Sequence, residues 1–152
     1  MKLRISAMVL GGILALAIAL PCNAGPREDA FGMVDEWAFA FNSGDVDKIV
    51  ALYSPEALVL GTVSPSLAST PEDLRAYFGA SSVAKSQVKL GERAAAVLSN
   101  DAAVMTGFYE FSRPGAGQQT VIPARFTFIL VRRDEGWRIV HHHSSIRPKP
   151  AQ

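Results

Sequence analysis

The chain has a single cysteine in 152 residues, Cys22, and it falls at the end of an apolar leader. From Gly25 onward there is none. That stretch can therefore form no disulfide, no thiolate nucleophile and no cysteine-ligated zinc. Charge is sparse as well: Asp, Glu, Lys and Arg make up 19% of the residues. With Lys2 and Arg4 set aside, 13 basic residues stand against 14 acidic ones, and no basic block occurs. Such a near-neutral chain is not built to take nucleic acid or an anionic membrane as its main partner. A Gly-rich phosphate loop, a Gly-x-Ser-x-Gly elbow and a His-Glu-x-x-His pair are all missing, so the common sequence signatures of nucleotide, serine-hydrolase and zinc-protease chemistry are lacking. There is no internal repeat and no low-complexity segment.

What is present begins with a leader. Lys2 and Arg4 precede the apolar run Met8–Leu20; Pro21 breaks it, and Cys22-Asn23-Ala24 supplies small residues for cleavage. Residues 1–24 read as a signal peptide, with a periplasmic or secreted product. A retained anchor would need about 20 apolar residues and finds fewer. Lipidation at Cys22 is the other alternative, opposed by Pro21 directly before it, where such sites want a small flexible residue.

Residues 25–148 read as one domain and 149–152 as a frayed tail. Ala30, Phe31, Val34, Trp37, Ala38 and Phe41 recur at helical spacing, and Asn42-Ser43-Gly44 ends that helix. Asp45 caps a second, short helix expected to carry Val46, Ile49, Val50 and Tyr53. A short strand over 57–60 follows. Thr70-Pro71-Glu72-Asp73 opens a third helix. The remainder is strand: 88–98, 102–111, 120–133 and 137–145, punctuated by Ser99-Asn100-Asp101, the Pro114-Gly115 region and Asp134-Glu135-Gly136. Three helices ahead of an antiparallel meander predict an α+β fold. Phe126, Phe128 and Leu130 alternate with Thr127, Ile129 and Val131, so both faces of that strand are partly apolar. One face meets the helices; a second copy of the chain is the economical cover for the other.

Two stretches resemble a known family. Residues 37–47, Trp-Ala-Phe-Ala-Phe-Asn-Ser-Gly-Asp-Val-Asp, resemble the opening of SnoaL-like proteins. Residues 125–128 and 132–145, ending Trp137-Arg138-Ile139-Val140-His141-His142-His143-Ser144-Ser145, look like the association (hub) domain of calcium/calmodulin-dependent protein kinase II and its bacterial stand-alone relatives. The resemblance spans about Arg27 to Pro148. It implies the cystatin-like fold of the nuclear-transport-factor-2-like superfamily: a cone-shaped curved sheet, mixed or antiparallel, wrapped by about three N-terminal helices, a pocket between long helix and sheet, and dimers or rings of dimers through the sheet. It implies no single function, since members include isomerases, cyclases, dehydratases and scaffolds. Kinase activity does not carry over, because no kinase domain is present.

Candidate site residues follow. On a strand, His141 and His143 share one face and His142 takes the other. The resemblance suggests His141 and His143 as pocket residues; packing without function is the other reading. No third ligand at zinc spacing accompanies them, so no metal and no cofactor is expected. Arg125 interrupts an apolar strand, where a charge is costly unless paired or facing a cavity. It is read either as a grip for a small carboxylate, as pocket arginines of association-domain relatives are, or as an ion-pair partner of Glu110. Trp37 and Tyr53 serve either the core or the pocket wall. Ketosteroid-isomerase-like members pair a carboxylate base with a tyrosine, for which Glu110 and Tyr53 are the nearest set here. The preferred reading is a non-catalytic, self-associating module that holds a small organic acid or apolar ligand against Arg125, His143, His141, Trp37, Tyr53 and Glu110. The alternatives are an isomerase, dehydratase or cyclase on a small hydrophobic carbonyl compound, and a purely structural protein whose pocket is filled by its own side chains.

Overall fold

The computed structural model describes residues 25–115 and 118–149. The leader, with Cys22, and residues 150–152 lie outside the described residues. Helix α1 (Pro26–Ser43) buries Ala30, Met33, Val34, Trp37, Ala38, Ala40 and Phe41, the stripe its spacing predicts. It stops at Gly44, whose φ of 71° lets its N–H turn back to Phe41 O at 3.1 Å. Asn42 then works as a piece of strand. Its amide accepts from Val88 N at 2.7 Å and donates to Val88 O at 2.9 Å, pinning the end of α1 to the sheet. Asp45 caps α2 (Val46–Val50), accepting from Lys48 N. Thr70 and Asp73 form a reciprocal capping box at the start of α3 (Pro71–Gly79). A single turn, α4 (Ser81–Ala84), follows.

Five strands form one sheet: β1 (Tyr53–Leu60), β2 (Gln87–Ser99), β3 (Ala102–Arg113), β4 (Thr120–Arg133) and β5 (Gly136–Ile146), in the order β1-β5-β4-β3-β2. Strands β2 to β5 are the expected meander. One feature corrects the sequence reading. The first strand starts at Tyr53, four residues early, so Tyr53 belongs to the sheet and not to α2. That strand pairs in parallel with β5, Leu58 beside His141 and Leu60 beside His143, so of the mixed and antiparallel forms the sheet is mixed. Such a pairing joins distant segments and leaves no turn between them to read.

The helices cover one face of the curved sheet. Core residues there include Ala103, Met105 and Tyr109 of β3, Phe126, Phe128 and Leu130 of β4, and Ile139 of β5. Beside the β4–β5 turn, Arg132 pairs with Asp29 at 2.9 Å and lies over the ring of Trp137, whose Nε1 donates to the same carboxylate at 3.1 Å. The Arg-Arg-x-x-x-Trp part of the family signature is therefore a clamp on the start of α1.

Candidate functional site

Between α1, α3 and the sheet lies a small cavity of about 40 Å³, lined by Trp37 and Phe41 of α1, Thr62 and Val63 after β1, Tyr77 and Phe78 of α3, and Tyr109, His142 and Ser144 of the sheet, among others. Trp37, His142, Tyr109, Ser144 and Thr62 of this lining join, with Tyr53 behind it, in one chain. Trp37 Nε1 donates to Tyr53 OH at 2.9 Å, and Tyr53 OH lies 2.9 Å from His142 Nδ1. On the other side of the ring, Tyr109 OH is 3.4 Å from Nε2 and donates to Ser144 Oγ, which in turn bonds Thr62 Oγ1.

The direction of this chain follows from its first member. An indole nitrogen can only donate. Tyr53 thus accepts from Trp37 and has its own proton free for His142 Nδ1. Because Tyr109 gives its proton to Ser144, its oxygen is left to accept from His142 Nε2, and the tautomer protonated at Nε2 satisfies both neighbours. Thr62 is also within bonding reach of Tyr109, so the hydroxyls of Tyr109, Ser144 and Thr62 share their protons among themselves.

Every ionisable member of this chain is held neutral. His142 is 2% exposed, and burial pushes its pKa down to about 3, with His141 and His143 adding to the effect. Burial likewise pushes Tyr53 and Tyr109 above the ordinary phenol value, opposed by the bonds from Trp37 and to Ser144. No carboxylate, guanidinium or ammonium lines the cavity. With its lone pair already engaged by Tyr53, His142 is a weak proton acceptor. The set is suited to holding a neutral group by hydrogen bonds rather than to moving a proton.

The opposite face of the sheet carries a broad hollow of about 750 Å³, lined by Arg125, Thr127 and Ile129 of β4, His141, His143 and Ser145 of β5, and Thr106 and Phe108 of β3, with part of β2. Arg125 Nε donates to Ser145 Oγ at 3.0 Å and has no ion-pair partner among the described residues. Leu58 and Leu60 extend this face, 44% and 38% exposed.

A SnoaL-like domain model matches residues 32–148. The chain belongs to the SnoaL-like family. A crystal structure from Xanthomonas campestris, provisionally assigned as a calcium/calmodulin dependent protein kinase II association domain, is 32% identical. The likeness covers 87% of this chain and 94% of that one, with a TM-score of 0.75. The CaMKII hub of S. rosetta is similar at 22% identity, covering 82% and 97%, TM-score 0.69. A ketosteroid isomerase-like protein from Erwinia carotovora atroseptica is similar at 17%, covering 81% and 97%, TM-score 0.67. The last two likenesses speak for the fold alone. No functionally curated protein matches the chain.

Within this SnoaL-like fold the residues singled out from sequence divide into two groups. Trp37 lines the cavity, and Tyr53 stands directly behind it, bonded to His142. Arg125, His141 and His143 do come together, but in the outer hollow, on the far side of the sheet from the helices. The expectation that His141 and His143 line the helix–sheet pocket is corrected: His142 does. Glu110 is exposed on β3, beside Lys89 and Pro123 in the register. It forms no pair with Arg125, and it is not assembled with Tyr53, which is buried. Sequence reasoning missed Tyr109, Ser144 and Thr62. Among the described residues, no group of three His, Cys, Asp or Glu side chains could hold a metal ion, and no helix is long and apolar enough to cross a membrane.

Proposed function

We propose that this protein is a non-catalytic module that self-associates through the outer face of its sheet and holds a small ligand between helices and sheet. The reading rests on how the two faces differ. The cavity is lined by neutral groups already bonded to one another, with no carboxylate to act as base. The outer face leaves Leu58 and Leu60 exposed and Ile129 half-buried around Arg125, His141 and His143. An apolar surface of that kind is what a second copy would bury. The likeness to an association domain at 32% identity supports the same view. On this reading Arg125, His141 and His143 belong to the interface, while Trp37, Tyr53 and His142 belong to the ligand cavity. An isomerase-type reading would need a base within the cavity, and Glu110 is on the other face.

Native mass spectrometry of the purified protein tests both halves. A dimer or a larger ring carrying a constant small added mass is the expected result. The double variant Leu60→Asp, Ile129→Asp should give monomers. A wild-type monomer at tens of micromolar protein would overturn self-association. Met1–Ala24 are proposed to direct export, with Gly25 as the first mature residue; a product that still begins at Met1, or that begins at Cys22, would refute this.

A further inference from the structure

Tyr77 stands between the buried cavity and a surface cleft of about 350 Å³. The cleft is formed by Val63–Ala68, by Asp73, Ala76 and Tyr77 of α3, and by Ala80 and Val83. Val63, Tyr77 and Val83 line both spaces, so the Tyr77 ring is part of the wall between them. Closed as it is, the cavity has room for little more than a water. With the ring swung aside, the two spaces merge into roughly the smallest volume that commonly houses a small molecule.

The closed position depends on Gly61. A Cβ there would overlap the outer end of the Tyr77 ring. The ring is also held by its hydroxyl, which accepts from the backbone N–H groups of Val63 and Thr62. Beyond these, the segment from Gly61 to Ser69 is tied by the Val59–Ala68 pair, a turn from Ser64 N to Gly61 O, and Ser69 N donating to Asp73. Opening breaks the bonds to the Tyr77 hydroxyl, so the open form is a minor population of the resting protein.

The lining also sets what could enter. Neither space contains a cation. The cleft holds Asp73, whose carboxylate stays ionised because it accepts from the backbone of Ser69 and from Thr70. Inside, the chain ends on the hydroxyls of Ser144 and Thr62, and Ser144 is 95% buried. A hydroxyl can turn its proton toward a ligand oxygen, so an acceptor entering here would meet neutral donors and no charge.

We propose that Tyr77 is a gate, and that the site it closes takes an uncharged, ring-sized molecule bearing a carbonyl-type acceptor, and excludes carboxylates. This deepens the small-ligand reading and rests on it. Of the small organic acid and the apolar ligand that the sequence leaves open, it departs from the first, because Arg125 lies on the other face.

Benzamide and benzoate, nearly the same shape and differing in charge, are the probes. Titration of the purified protein by calorimetry or ligand-observed NMR should show benzamide binding and benzoate at least tenfold weaker. Gly61→Ala, which forces Tyr77 off its seat, should tighten benzamide about tenfold or more, since the open form need no longer be selected from a minor population. Thr62→Val should weaken benzamide about fivefold to tenfold through loss of the terminal donor. Equal binding of the two probes, or a folded Gly61→Ala protein that binds benzamide no better than wild type, would overturn the proposal. So would failure of benzamide to bind any of the three proteins. The broader small-ligand reading is judged separately, by the added mass in the native spectrum.

Discussion

His142 offers the sharpest quantitative test of the buried chain. Its ordinary value is 6.5, and burial pushes it down to about 3. Unfolding would return it to water. Below pH 6.5 the unfolded chain takes up a proton that the native ring refuses. A depressed histidine thus contributes its full stability above about pH 6.5, and that contribution is lost as pH falls toward about 3. Each pH unit in this window is worth about 1.4 kcal/mol. From pH 7.5 to 4.5 the loss is about 3 kcal/mol, whatever the native value, so long as it lies well below 4.5. The perturbation is His142→Gln, which removes this titration and leaves His141, His143 and every carboxylate in place. Urea unfolding at pH 7.5 and pH 4.5, at fixed protein concentration and ionic strength, gives four stabilities. The variant should be the less stable at pH 7.5, yet lose about 3 kcal/mol less than wild type on acidification. Equal acid losses, within about 1 kcal/mol, would refute a buried neutral imidazole. If the variant does not fold, NMR of the wild-type His142 ring serves instead: its shifts should stay at the neutral value down to pH 5.

Two other substitutions probe what holds the site in place. Tyr53→Phe strands both Trp37 Nε1 and His142 Nδ1 and should cost about 3 kcal/mol in chemical denaturation; a loss under about 1 kcal/mol would mean that the chain is not continuous through Tyr53. Arg132→Met removes a half-buried pair with Asp29 and a cation over Trp137. It should lower the melting temperature by about 3–6 °C without changing subunit number in the native mass spectrum, and an unchanged melting temperature would remove the clamp from the account.

The helix ends and the meander were legible because their signals are local: Gly44 and Thr70 sit where helix termini need them, and the strands from β2 onward are bounded by turn residues. Two things were not. Tyr53 was assigned to a helix because a residue three or four beyond Ile49 and Val50 fits helical spacing as well as a strand start. The facing of the histidines was lost to one residue. Counted straight back from the Arg133–Gly136 turn, His141 would oppose Phe128 and His143 would oppose Phe126, so both would face the helices. In the structure Leu130 pairs with Ile139 and Ile129 with His141, so Val140 is an extra residue in β5. That bulge turns His142 inward and sends its neighbours out, because a one-residue shift exchanges the faces of a strand. Nothing about Val140 in the sequence marks it as a bulge. Arg125 was read as facing a cavity or a partner because it is a charge in an apolar strand. The inference about cost was sound, but the hollow it faces is on the outer surface.

The order β1-β5-β4-β3-β2 has a consequence for how the chain can be assembled. Among the described strands, the last one made is the only strand beside the first, and it separates that strand from the other three. Until residue 146 is available, β1 has no edge to join, and β5 has not yet brought His142 and Ser144 to the cavity. An unfinished chain can form the β2–β3–β4 meander, whose contacts are sequential, but the polar chain from Trp37 to Thr62 has no middle. Folding of the N-terminal half must wait on the C-terminal strand, which makes loop closure over about 80 residues the slow step, as high contact order dictates. It also means that a truncation just before Gly136 would do more than shorten the sheet: it would divide it, with the site lost at the division.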